Sequence, residues 1–318
     1  NDFNTNIDPD LLQKAVWGLV KGASTGHDAY AREDLMAFPR HGLAAIVRAT
    51  LRGRTPTDVK GRFSGGAFTG LSKPDKPPTL LRPTLPPSMF NRVAARYAML
   101  AHEKRIKEAL GPYQAAVMVK KGAEQVVLLK QANEAMYEDA AALYTDAENG
   151  YGSVKRVPAA YILATELPEL LGYFVSAYGE CPVMTYMEFD PETQETSYVL
   201  KFMGRGFVQG DPLAPVLFTL LQAKSREENN KVSEESIQID YIDDYGKFAR
   251  TGNVRMVPIA TADQRVLDAY KHPLPHDAGY AQLPAKAFDY SGHPLVVMMD
   301  NSLKRMGEWG VQPAGVRP

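Results

Sequence analysis

The amino-acid sequence predicts an α+β fold, an antiparallel sheet covered by helices on one face. Three observations point there. From residue 141 to residue 250 the signals run strand–helix–strand–strand–helix–strand–strand, with two hairpins among them. Hydrophobic residues make up 45% and charged residues 23% of the 318, a globular balance that excludes global disorder. Cys181 is the only cysteine, so a disulfide framework and a Cys-rich zinc site are both excluded.

Each element has a local cause. Residues 9–22 have helical periodicity, with Pro9 suited to a first helical turn. Residues 31–51 read as helix, interrupted at Pro39. Residues 61–72 and 79–83 read as strands flanking the basic, Pro-rich turn 73–78. A long helix is expected over 87–110, from Pro87 to the Gly111-Pro112 stop, and another over 123–140. The apolar run 141–145 reads as a strand ending on Asp146, with helical patterns over 153–178 beyond it. Residues 183–189 and 196–203 form a hairpin around Asp190-Pro191-Glu192-Thr193. Helix 212–228 follows, with Asp211 as N-cap and Pro212 at its first position. Residues 236–242 and 245–250 form a second hairpin around Asp243-Asp244, and one further helix is expected at 262–271.

No run of 18 apolar residues exists, which excludes a transmembrane helix and membrane insertion. The first residues carry neither a basic nor an apolar leader pattern, so no signal peptide and an intracellular location are expected. The absent initiator Met points to a processed chain or a piece of a longer one. Net charge is −1, yet residues 51–130 hold 15 Lys/Arg against 5 Asp/Glu, and residues 131–200 hold 2 against 12. A basic segment followed by an acidic one suits a polyanion-facing surface beside a cation site.

Asp146, Asp243 and Asp244 stand at expected strand ends or turns. Carboxylates brought together repel unless a divalent cation lies between them. Two Mg²⁺ ions about 4 Å apart can activate an attacking hydroxyl and stabilise a leaving pyrophosphate.

The surrounding strings are more specific than the acidic pair. Asp146-Ala147-Glu148-Asn149-Gly150-Tyr151 comes first, then Gln209-Gly210-Asp211-Pro212-Leu213-Ala214-Pro215, then Tyr241-Ile242-Asp243-Asp244. In this order they resemble palm motifs A, B and C of the reverse transcriptase family, of the type found in non-LTR retrotransposons and group II introns. Leu71-Ser72-Lys73-Pro74 and Leu81-Arg82-Pro83 are similar to its fingers strands, and residues 21–28 to its finger loop, without the usual Pro-Gly-Pro-Asp-Gly form. Tyr113-Gln114 with Lys121-Gly122-Ala123-Glu124 is similar to its Gln-x-Gly-Phe segment, with the Gly-Phe missing. The resemblance covers roughly residues 20–250.

The resemblance implies a right-hand polymerase fold: fingers with the first palm helices over 1–140, palm over 141–255, and a C-terminal extension over 256–318 with no recognisable thumb. It implies template-directed nucleotidyl transfer, extending an RNA or DNA primer–template with dNTPs. Asp146 and Asp243 would ligate catalytic Mg²⁺, with Mn²⁺ as a substitute, and Asp244 would support them. The Ala147 carbonyl would add an oxygen. Tyr151 falls where the family places the aromatic gate against a 2′-OH. Gln209 and Gly210 would meet the template–nucleotide pair, and Lys73 and Arg82 the triphosphate. The competing expectation is a catalytically inactive descendant serving as a structural or RNA-binding subunit of a larger protein or ribonucleoprotein assembly.

Overall fold

The computed structural model describes residues 6–72, 81–137, 140–231, 237–242, 244–250, 255–258, 286–289, 298, 301, 304–305, 308 and 312–317. Among them the chain forms α1 (Pro9–Trp17), α2 (Arg32–Ala37), α3 (Arg40–Leu51), α4 (Thr57–Ser64), β1 (Gly66–Ala67), β2 (Thr69–Ser72), β3 (Leu81–Thr84), α5 (Met89–Ala101), α6 (Glu103–Leu110) and α7 (Gly122–Met136). Then come β4 (Ala140–Glu148), α8 (Gly150–Ser153), α9 (Arg156–Glu166), a 3₁₀ turn (Pro168–Leu170), α10 (Leu171–Tyr178), β5 (Val183–Phe189), β6 (Thr196–Phe202) and α11 (Ala214–Asn229). Strands β7 (Ile237–Tyr241), β8 (Asp244–Arg250), β9 (Arg255–Pro258), β10 (Lys286–Asp289) and β11 (Gln312–Arg317) follow. No helix among the described residues is long and apolar enough to cross a membrane.

Two compact units interleave along the chain. The first takes Asn1–Pro112, Glu148–Ala223 and Trp309–Gln312; the second takes Tyr113–Ala147, Lys224–Glu308 and Pro313–Pro318.

The first unit is mostly helical. Ala94, Ala95 and Ala98 of α5 are fully buried, and their small side chains let α5 lie close to α1 and α3. α10 packs across α3 and α4, burying Tyr173, Phe174, Ala177 and Tyr178. A three-stranded sheet in the order β1–β5–β6 and the antiparallel hairpin β2–β3 complete it. The second unit holds a four-stranded sheet in the order β11–β4–β8–β7, with β8 antiparallel to both β4 and β7. α7 lies against β7 and β8, while β9 and β10 form a separate antiparallel pair.

Several expected boundaries move. Residues 61–64 are the end of a helix, α4, not a strand; Pro56 starts α4 and the buried Ser64 hydroxyl donates to the Lys60 carbonyl 3.0 Å away. α1 stops at Trp17 rather than at 22, capped by Gly18, where a Cβ would come within 2.0 Å of the Arg96 guanidinium. The expected 87–110 helix divides at His102, whose backbone leaves helical geometry at φ −116°. α7 ends at Met136, and β4 starts at Ala140. The helix expected at 262–271 lies outside the described residues.

Candidate active site

In the second unit, strand pairing brings Asp146 of β4 beside the β7–β8 hairpin. β7 and β8 pair with Tyr241 opposite Asp244, so Ile242 and Asp243 are the whole connection. Two-residue hairpin loops need positive φ to match strand twist. Ile242 sits at φ 59°. A β-branched side chain in that region costs about 1–2 kcal/mol, so the fold must hold this turn in place. On its other side β8 pairs with β4, placing Asp146 opposite Asp244. Cα atoms in such a register are about 4.5–5.5 Å apart. Asp244 is exposed, and Ala147 is buried. Asp243 and the side chain of Asp146 lie outside the described residues. Among the described residues no group of three or more His, Cys, Asp or Glu could hold a metal.

A buried polar network underlies the hairpin. Asp240 accepts from the Arg226 guanidinium at 2.9 Å and from the Gln238 amide at 2.6 Å. Asn229 donates to Gln238, and the Asn230 side chain accepts from the Gln238 N–H. The Asp240 backbone is tied to the 113–115 segment, its N–H donating to the Tyr113 carbonyl and its C=O accepting from the Ala115 N–H. Lys247, opposite Gln238 on β8, is fully buried. Burial lowers its ammonium pKa to about 8, partly offset by the nearby Asp240 charge. Burial likewise raises the pKa of Asp240, against the pull of Arg226. Interlocked hydrogen bonds of this kind fix strand register, and a one-residue slip would carry Asp244 to the opposite face.

The first unit holds the other residues singled out in the sequence. Tyr151 and Gln209 line one cavity of about 280 Å³, with Leu85, Phe207 and Arg205. The Tyr151 ring leans on Phe218, centroids 5.2 Å apart, and its carbonyl accepts from the Phe207 N–H at 2.7 Å. Gln209 is fixed through its backbone, its carbonyl accepting from the Leu85 N–H at 2.9 Å. Gly210 has φ 138°, and a Cβ there would come 2.8 Å from the Leu85 carbonyl. The close approach that demands glycine is therefore to the chain's own backbone.

Asp211 anchors this segment. Its buried carboxylate accepts from the hydroxyls of Tyr173 and Tyr178, at 2.7 and 2.6 Å, and from the Leu213 N–H at 2.9 Å. The Tyr178 hydroxyl in turn accepts from the Val208 N–H. Burial raises the Asp211 pKa, with those three hydrogen bonds opposing it. The expected N-cap position moves: α11 starts at Ala214 rather than at Pro212, so Leu213 precedes it. Asp211 instead closes the turn before the helix, its carboxylate accepting from the Leu213 N–H and its carbonyl from the Ala214 N–H. The two tyrosines carry no pattern that sets them apart from core aromatics, so sequence reasoning misses them. It also misses Arg205, an exposed cation at the cavity that follows Gly204 and precedes the close-packed Gly206.

Arg82 lies on β3 opposite Leu71, with its side chain outside the described residues; Lys73 lies outside them entirely. The 21–28 loop is tied to the start of α5. The Asp28 carboxylate accepts from the Met89 N–H at 2.8 Å, and Arg92 donates to the Ser24 carbonyl at 2.6 Å.

No family model matches the sequence, and no curated protein does. Among solved structures the chain is similar to apo telomerase from Candida tropicalis truncated from its C-terminal domain, with a TM-score of 0.41, 8% identity and coverage of 60% of this chain. It is also similar to telomerase from Candida albicans in complex with a TWJ fragment of telomeric RNA, with a TM-score of 0.42, 9% identity and coverage of 63% of this chain. The chain spans 44% and 40% of those two chains.

Proposed function

We propose that this chain performs reverse-transcriptase-like nucleotidyl transfer, extending a primer on a nucleic-acid template with dNTPs. The observation that carries the reading is the register of the second unit's sheet. It sets Asp146 opposite Asp244 beside the strained Tyr241–Asp244 turn, uniting two strings nearly a hundred residues apart in sequence. Asp146 and Asp243 would hold Mg²⁺ or Mn²⁺, with Asp244 in support; an all-carboxylate donor set suits a hard divalent cation. When bound, the metal supplies Lewis-acid activation of the primer hydroxyl and charge stabilisation on the departing pyrophosphate.

The chain's own residues supply the rest. Tyr151, braced by Phe218, presents a ring that clashes with a 2′-OH and so favours deoxynucleotides. Gln209, held by its carbonyl, contacts the nucleotide base, and Lys73 and Arg82 neutralise the triphosphate. In this reading fingers occupy 1–140 and palm 141–255, with 256–318 an extension. Template and primer are the partners, bound chiefly through phosphates and hence in a salt-dependent way. Primer extension on RNA and DNA templates with Mg²⁺ and each nucleotide set tests it. Extension with dNTPs supports the reading. Tight primer–template binding with no extension under any metal or nucleotide favours the inactive RNA-binding descendant.

A further inference from the structure

The outer strand of the first unit's sheet is apolar where edge strands are usually guarded. Among the described residues β6 lies outermost in the order β1–β5–β6. Two flanking bonds set its phase: Asp190 N–H to the Glu195 carbonyl, and Met203 N–H to the Pro182 carbonyl. Alternation from those bonds turns the backbone groups of 197, 199 and 201 toward β5. The N–H and C=O groups of Thr196, Tyr198, Leu200 and Phe202 therefore run along the outer edge. On the same face as these residues' side chains, Tyr198 is 79%, Leu200 61% and Phe202 70% exposed, beside the exposed Met187 and Phe189 of β5. The one charge within β6, Lys201, projects to the other face, 5.2 Å over the Tyr186 ring.

Charge is also polarised along the strand. The hairpin tip carries Glu188, Asp190, Glu192 and Glu195, whereas the base carries Lys201 and Arg205. An acidic tip repels phosphates, which disfavours nucleic acid as the occupant of this edge.

We propose that β6 pairs antiparallel with β6 of a second copy of this chain, about a two-fold axis through Val199. An isologous edge contact is self-complementary by symmetry. In this register Tyr198 faces Leu200 of the partner copy and Thr196 faces its Phe202, so every outward backbone group finds a partner. The same register runs the acidic tip of each copy alongside Lys201 and Arg205 of the other. A seven-residue strand pair covers less than the roughly 1,200–2,000 Å² of a stable interface, so the dimer is weak and concentration-dependent.

Sedimentation equilibrium of the full chain over about 1–100 µM tests this, a range matched to micromolar affinity. The expected result is a mass rising from 35.0 kDa toward twice that value. Leu200→Pro removes one outward N–H while leaving the ladder to β5 intact, and should weaken association about tenfold or more with unchanged circular dichroism. Lys201→Glu should weaken it as well, and adding Glu195→Lys in the same chain should restore it. A monomer at every concentration overturns the proposal. So does a dimer indifferent to both Leu200→Pro and Lys201→Glu, or an edge that single-stranded RNA protects from chemical labelling at Tyr198.

Discussion

Tyr151 and Asp211 do different work in the same neighbourhood. The Tyr151 ring is half-buried against Phe218 and borders the cavity that Gln209 also lines. Asp211 does not line that cavity and instead ties Tyr173, Tyr178 and the first residues before α11 together. Tyr151→Ala is therefore expected to open the cavity rather than unfold the unit. In primer extension with competing nucleotides, it should raise ribonucleotide incorporation at least about tenfold relative to wild type, the scale of one lost steric contact. Unchanged selectivity in a variant that still extends primers would place the gate at another residue.

At the scale of elements, the β7–β8 hairpin combines strain and buried charge. Ile242 holds positive φ where Asn or Gly is the usual choice. Ile242→Asn should raise stability by about 1 kcal/mol in chemical denaturation, since the left-handed penalty falls away. Lys247 gives a pH signature. Its folded pKa of about 8 lies below the ordinary 10.5, so between those values the unfolded chain holds a proton that the folded chain has released. Stability must then rise with pH from about 8 to 10.5. Lys247→Met should flatten that rise, because it removes the titrating group while Arg226 and Gln238 still satisfy Asp240. Denaturation midpoints at pH 7 and pH 9.5 for both proteins check this.

Both hairpins were legible because turn residues and alternation are local signals: β5–β6 and β7–β8 fall where the sequence put them. The polar network was not. Gln238 and Asp240 alternate with Ile237 and Ile239, and that pattern ordinarily marks a solvated polar face. Here the polar face is the buried one, against Arg226, Asn229 and Asn230, while Ile237 and Ile239 are half-exposed. Alternation reports that two faces differ, and only the tertiary fold decides which is covered. Residues 61–64, Gly-Arg-Phe-Ser, differ for another reason: four residues with one apolar side chain carry no period of their own, and they complete the helix that starts at Thr57.

At the scale of the whole molecule, a net charge of −1 conceals a basic 51–130 segment and an acidic 131–200 segment. The acidic segment contributes Asp146 on β4, and β8 brings Asp244 opposite it. The proposed nucleotidyl transfer depends on the carboxylates at the hairpin. The most direct measurement is primer extension by wild type and Asp243→Asn, purified alike and matched in thermal melting. Asn preserves shape and removes one metal-binding charge, so extension should fall by about a hundredfold or more while folding and primer–template binding persist. Equal extension by the two proteins, or none by a wild type that binds primer–template tightly across metals and nucleotides, would contradict it.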